Sequence, residues 1–332
     1  MNKRAPLRRT LLSAAVLFAT AAGVALPQSV LAQAWPSKPV RVVVTFPPGG
    51  TPDIYGRIMS NELAKVWNQS VVVENRAGAS GSIGTDFIAK SAPDGYNLLF
   101  AADASITIAP HIVARLPYDP VRDLTPITNV ASGPFVLLAN ASLPANNVRE
   151  FVALVRANPG KYTYASSGSG GQQHLSMEMV RSMTGIEITH IPYKGFGQGL
   201  TDVLSGQVPL IFGGITASIP LARGGKLKAI GVTSPVRAKA LPEVPSFAES
   251  GLPGFDIVAW YGFMGPAGLP REVVRKIHAD SLAIVRRPDF QERLAKDGIE
   301  PVANSPEEFA AQIRVDLEKW AKVVKAAGVK PE

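Results

Sequence analysis

The residues best placed to do chemistry in this chain are glycines and hydroxyls set between strands and helices. Val40–Phe46 is a β-branched run that feeds into Pro47-Pro48-Gly49-Gly50, and a helical pattern begins at once. Thr51 is expected to cap that helix with its hydroxyl, and Pro52 suits the first turn because its missing N–H has no intrahelical partner there. Gly49 and Gly50 let the backbone approach a bound group closely. The unpaired N–H groups and the positive end of the helix dipole face the same point, which makes a site for a carboxylate or a phosphate. Ser166–Gly171 repeats the arrangement: it follows the strand Tyr162–Ala165 and precedes the helix His174–Thr184.

Side chains suited to catalysis are sparse. Only His111, His174, His190 and His278 are present, and none is spaced as a metal pair on one helix face. His174 follows the serine loop, but Gly168-Ser169-Gly170 lacks the spacing of a nucleophile elbow. Triad histidines usually come from another part of the fold than their serine. No phosphate-loop lysine motif and no G-x-G-x-x-G after a strand is found, so neither a nucleotide nor any other cofactor is expected. The residues therefore favour binding over catalysis; a hydrolase is the rival reading.

The first 34 residues read as an export signal. Lys3, Arg4, Arg8 and Arg9 form a basic start, Leu11–Leu26 an apolar core, and cleavage is expected near Ala32 or Ala34. The Arg8-Arg9 pair leaves the export route open between the general and the twin-arginine pathways. The 34 basic residues of the whole chain include those four, so the remainder carries 30 basic against 26 acidic residues, a net charge of +4. No polybasic tract points to nucleic acid. Cysteine is absent, so disulfides and thiolate metal sites are excluded.

The elements that must hold the loops alternate. Strands are expected at Val40–Phe46, Val71–Glu74, Leu98–Ala101, Val136–Ala139, Tyr162–Ala165, Ile188–Ile191, Pro209–Phe212 and Ala229–Val232, with helices between them and three more at the C-terminal end. This pattern predicts two α/β domains with mostly parallel sheets, whose ligand sits beyond the carboxyl ends of the strands. Thr128–Phe135 and Phe255–Gly265 are extended and bounded by Gly and Pro. They are expected to be two crossing segments, so that residues 133–255 form a second domain inserted into a first one made of 35–132 and 256–332. A cleft between the domains would close by a hinge at those crossings.

Several motifs together resemble the tripartite tricarboxylate transporter substrate-binding proteins, also called the Bug family. They are Trp35-Pro36-x-Lys38-Pro39-Val40-Arg41, Pro48-Gly49-Gly50-x-x-Asp53-x-x-x-Arg57, Val73-Glu74-Asn75-Arg76-x-Gly78-Ala79-x-Gly81-x-Ile83-Gly84 and Ala92-Pro93-Asp94-Gly95-Tyr96. Pro192-Tyr193-Lys194-Gly195, Gly206-Gln207-Val208, Trp260-Tyr261-Gly262 and Pro266-Ala267-Gly268-x-Pro270 complete the set. The resemblance implies a type II periplasmic binding protein: two Rossmann-like domains, joined by two crossovers, that hold a small organic carboxylate in the cleft. It implies a periplasmic monomer that delivers its ligand to integral-membrane transporter components, or reports it to a sensor protein. Carried over residue by residue, it implies a first wall of Phe46, Pro48, Gly49, Gly50, Thr51 and Asp53, then Ala79, Ser80 and Ser82, then Ala102, Asp103, Ala104 and Ser105. The second wall would be Ser166, Ser167, Gly168, Ser169 and Gly170, with Tyr193, Lys194, Gly213, Gly214 and Thr216.

Asp103 departs from the small and hydroxyl residues usual at its position in the family. A carboxylate facing a carboxylate is repulsive unless paired or protonated. Asp103 is accordingly expected to face solvent, unless the ligand brings a hydrogen-bond donor. Asp53 and Arg57 are expected to pair four residues apart on one helix face, Lys194 to sit on the rim, and Trp260 and Tyr261 to pack at the hinge.

Overall fold

The computed structural model describes residues 35–329 and 331, so the export signal read at residues 1–34 lies outside the described residues. The compact body begins at Lys38. Its elements follow in order β1 (Val40–Val44), α1 (Thr51–Trp67), β2 (Val71–Asn75), α2 (Ser82–Ala89), β3 (Asn97–Ala102), α3 (Ala109–Ile112) and β4 (Leu124–Asn140). Next come α4 (Val148–Arg156), β5 (Thr163–Ser166), α5 (Gln172–Thr184), β6 (Thr189–Pro192), α6 (Phe196–Ser205), β7 (Leu210–Gly214), α7 (Ile215–Arg223) and β8 (Leu227–Val232). The chain ends in β9 (Val258–Pro266), α8 (Arg271–Val285), α9 (Pro288–Lys296), β10 (Glu300–Pro301) and α10 (Pro306–Ala326).

The strands join in the order β2-β1-β3-β9-β4-β7-β5-β6, with β8 and β10 also paired to β4. The wings, β2-β1-β3 and β7-β5-β6, are parallel. Every pairing that involves β4 or β9 is antiparallel, so the sheet is mixed rather than mostly parallel. In β1, Val42, Val43 and Val44 are fully buried, as the near-continuous apolar run of a parallel strand covered on both faces requires.

The segments expected to be extended crossings are strands. Thr128–Phe135 lies inside the 17-residue β4, and most of Phe255–Gly265 is β9. Pro126, Gly133 and Pro134 are poor ladder residues, since proline has no ladder donor and glycine packs nothing. The structure accommodates them with register shifts between Pro126 and Thr128 and between Asn129 and Ala131. β4 changes partners along its length: Leu124–Pro134 pairs with β9, and Phe135–Ala139 with β7.

Two apolar clusters flank this strand. One gathers Phe151, Tyr164, Phe212 and Phe247; the other gathers Val43, Leu99, Trp260 and Phe309. α10 serves both, placing Trp320 and Val324 in the first and Phe309 and Ile313 in the second. That helix starts with a capping box, in which Ser305 accepts from the Glu308 N–H and Glu308 accepts from the Ser305 N–H.

Candidate functional site

The loops after β1, β2 and β3 leave the same end of a parallel wing and converge there. A Cβ built on Gly81 would lie 2.7 Å from the Ser105 Cβ and 3.1 Å from the Thr45 Oγ1, so the three loops meet at a point that only glycine fits. Gly81 has φ +87°, and its neighbours Ala79 (φ 45°) and Ser80 (φ 54°) are also left-handed. Non-glycine residues rarely adopt that region, and such strain clusters at binding sites.

α1 begins differently from the sequence expectation. Gly50, not Thr51, is the N-cap, and no side chain caps this end. Asp53 shapes the loop instead: its Oδ2 accepts from the Gly49 N–H at 3.0 Å and its Oδ1 from the Asn75 amide at 2.8 Å. Arg57 pairs with the same carboxylate at 2.9 Å. Burial pushes the Asp53 pKa up, but the bonds from Arg57, Gly49 and Asn75 outweigh it and hold the group below the usual carboxylate range. Asp53 is thus committed to the loop and to Arg57.

The serine loop after β5 is also held from within. Gln173 Oε1 accepts from both the N–H and the hydroxyl of Ser167, each at 2.6 Å, while its amide donates to the Phe212 carbonyl at 2.7 Å. The Ser166 hydroxyl bonds His190 Nε2 at 2.6 Å and accepts from the Gly168 N–H at 3.1 Å. The Gly170 N–H donates to His174 Nδ1 at 2.9 Å. The two imidazoles stack 4.0 Å apart, within 6° of parallel. Burial lowers the pKa of both rings, and for His190 the neighbouring His174 adds to the effect, bringing it to about 4. The expected anion loop is therefore partly spent: the N–H groups of Ser167, Gly168 and Gly170 already have partners.

The two sets of loops touch. A Cβ on Gly170 would meet Ile112 Cδ1 at 2.8 Å, and one on Gly214 would meet Thr51 Oγ1 at 3.5 Å. Ala79 and Ser80 from the first set, Ser169 and Gly170 from the second, and Ile112 and Val113 line a cavity of about 170 Å³. A larger open depression of about 620 Å³ includes none of the expected site residues in its lining. Two of its cations, Arg76 and Lys90, are already paired with Glu74 and Asp86.

Asp103 does not face solvent. It is 1% exposed, and its Oδ2 accepts from the Gln172 amide in the first turn of α5. The loop after β3 dips inward here, through a π-type turn over Ala104–Ile108, and carries the carboxyl with it. Ser82 and Ser105 are also buried beneath the loops. Phe46 is half-buried with its carbonyl bound by Asn75, whereas Pro48, Gly49 and Gly50 are exposed. Other expected residues are turned elsewhere. The Tyr193 hydroxyl donates to Asp202 at 2.6 Å, Lys194 is exposed, and the Thr216 hydroxyl donates to the Asp297 carbonyl at 3.0 Å. Gly213 packs against Ser218 and Phe196. Trp260 packs edge-on against Phe309 and donates to Asp316 at 2.9 Å, so it belongs to the core of the first wing. Sequence reasoning missed Thr45, Gln172, Gln173 and the role of His190. The signal for the glutamines was their place, two amides in the first turn after a glycine loop.

Residues 55–329 match the family described as the Tripartite tricarboxylate transporter family receptor, TctC. The chain belongs to this family. BugT of Bordetella pertussis (strain Tohama I) is 34% identical over 321 residues, 96% of this chain and 98% of that protein. Among solved structures, R. palustris Rpa4515 with adipate superposes with a TM-score of 0.85 at 33% identity, covering 90% of this chain and all of that one. MatC (Rpa3494) from Rhodopseudomonas palustris with bound malate gives 0.78 at 30% identity, over 87% of this chain and 99% of that one. The fold of this TctC-family receptor is the two-winged α/β fold of the periplasmic binding proteins.

Proposed function

We propose that this receptor captures a small organic carboxylate between the β1–β3 loops and the β5 and β7 loops, and hands it to a tripartite tricarboxylate-type membrane transporter. The observation that carries the reading is the open end of α1. Its first-turn N–H groups have no side-chain cap, and Thr51, the first residue of α1, lies against Gly214 of the second wing. Helix N-termini and backbone donors replace the hydration of an anion at little cost in specificity of charge. The adipate and malate held by two relatives agree with this ligand class. Residues 35–132 and 256–332 are read as one body and 133–255 as the other, with the end of α10 packed across into the second body's cluster through Trp320 and Val324; the hinge is read where β4 changes partners, with Phe255–Ile257 entering β9 beside it. Closure shifts the population toward the form that the transporter recognises. Residues 1–34 direct export to the periplasm, and among the described residues no helix is long and apolar enough to cross a membrane.

A thermal-shift titration against a set of small carboxylates at neutral pH tests this. A ligand of the folded form raises the melting temperature with concentration. A protein that melts cooperatively and shifts with none of them, adipate and malate included, refutes the carboxylate reading.

A further inference from the structure

The cavity of about 170 Å³ between the two sets of loops has a lining of two kinds. Ser80, from the loop after β2, and Ser169, from the loop after β5, bring hydroxyls to it. Ile112, the last residue of α3, Val113 after it and Val329 beyond the end of α10 bring hydrocarbon. The serine loop sits directly on this hydrocarbon: a Cβ on Gly170 would fall 2.8 Å from Ile112 Cδ1 and 3.2 Å from its Cβ. The loop that carries Ser80 rests through Gly81 on Thr45, just past β1. The cavity is thus bounded by the loops of both wings that the carboxylate reading invokes.

The hydrocarbon part is the margin of a core. Ile112 is buried in the cluster that holds Phe151 and Phe212, and Val113 and Val329 pack against that cluster while staying half-buried. At the cavity this packing stops, and apolar surface facing a gap forfeits the contacts that a filler would supply. The polar part is unspent. The hydroxyls of Ser80 and Ser169 and the Ser169 N–H have no hydrogen-bond partner among the described residues. The neighbouring N–H groups of Ser167, Gly168 and Gly170 are all taken. No charged side chain lines the cavity.

Neutral donors of this kind can replace the hydration of a carboxylate. A hydroxyl or a further charge placed against Ile112 and Val113 would lose its hydration and find no partner. The size is also restrictive. An apolar cavity of about 150 Å³ takes a benzene ring, so the space here suits one ring or a short chain.

We propose that the ligand is an acid with an unsubstituted hydrocarbon body, an aromatic ring or a short aliphatic chain. Its carboxylate lies on Ser80 and Ser169, and its body fills the space beside Ile112, Val113 and Val329. This rests on the carboxylate reading above and names the class of acid within it. Hydroxy acids and citrate-like acids are the class it excludes.

The test is calorimetric titration of the protein at neutral pH with butanoate, pentanoate, hexanoate, the ω-hydroxy analogue of hexanoate, benzoate, malate and citrate. Affinity is expected to rise about fourfold per methylene from butanoate to hexanoate. Hexanoate should bind about 10- to 100-fold more tightly than its ω-hydroxy analogue, and hexanoate and benzoate should both bind more tightly than malate and citrate. Two variants locate the effect. Val113→Thr keeps the side-chain size and adds a hydroxyl; it should narrow the preference for hexanoate over its ω-hydroxy analogue by about threefold or more. Ile112→Val removes one methylene; it should weaken hexanoate about fourfold and leave butanoate unchanged. A flat methylene series, or malate or citrate binding more tightly than hexanoate and benzoate, overturns the proposal and leaves the carboxylate reading standing. So do variants that weaken every acid by the same factor, or none, since a wall that serves only the core moves no ratio between ligands. If none of the acids binds, the carboxylate reading fails and takes this inference with it.

Discussion

Gly81 is the residue on which the convergence of the three first-wing loops can be tested most directly. Replacing it with alanine adds one methyl group and changes no charge. Two effects follow from its environment. At φ +87° an L-residue is strained by about 1–2 kcal/mol. The added Cβ also falls 2.7 Å from the Ser105 Cβ and 3.1 Å from Thr45, both buried, so the loops must part; overpacking of this kind costs about 1–3 kcal/mol. Gly81→Ala should therefore destabilise the protein by about 2–5 kcal/mol. Gly160 supplies the control. Its φ is +71°, yet nothing lies within 4 Å of a built Cβ. Gly160→Ala should cost only the backbone part, about 1–2 kcal/mol. Urea unfolding followed by tryptophan fluorescence gives both values. In the same pair of variants, binding of whichever carboxylate raises the wild-type melting temperature should weaken in Gly81→Ala and stay unchanged in Gly160→Ala, because only the first displaces site loops. Equal stability losses in the two variants, or equal affinities, would show that the loops do not meet as described.

Two further predictions concern the groups that shape the loops. His190 is held neutral, with its pKa lowered to about 4 by burial and by His174, against about 6.5 in the unfolded chain. The stability this gives is present above pH 6.5 and is lost as pH falls toward 4; the urea midpoint of wild type should fall over that window, and that of His190→Asn should fall less steeply, an equal slope counting against the assignment. Asp53→Ala frees the Gly49 N–H, the Asn75 amide and Arg57 at once. Its cost should be at least that of one hydrogen bond to a charged group, about 1.5–3 kcal/mol, read by the same unfolding assay; a loss below about 0.5 kcal/mol, the level of an ordinary exposed ion pair, would mean that Asp53 does not hold the loop.

Much of this was legible because it is local. Glycine loops between β-branched runs and helical patterns gave the wing strands and the entry to α1, and the Asp53–Arg57 pair followed from a four-residue spacing. What was not legible depends on partners far away in the chain. β9 and the middle of β4 carry proline and glycine and read as extended crossing segments, but their pairing with each other, across more than a hundred residues, could not be read. The inward position of Asp103 depends on Gln172 reaching it from another element. The occupied N–H groups of the serine loop depend on Gln173 and His174 folding back over it. Loop composition announces that donors exist, and only tertiary structure decides which remain unused.

The place of β9 has a consequence for how the chain comes into being. It lies between β3 and β4, which are neighbours in sequence but not in the sheet. Until residue 266 has been synthesised, both of those strands have an open edge where β9 belongs, and the helix that seals both apolar clusters, α10, comes last of all. Until β9 arrives, the edges of β3 and β4 lack the partner that covers them in the finished sheet, and an uncovered edge is a template for pairing with another chain.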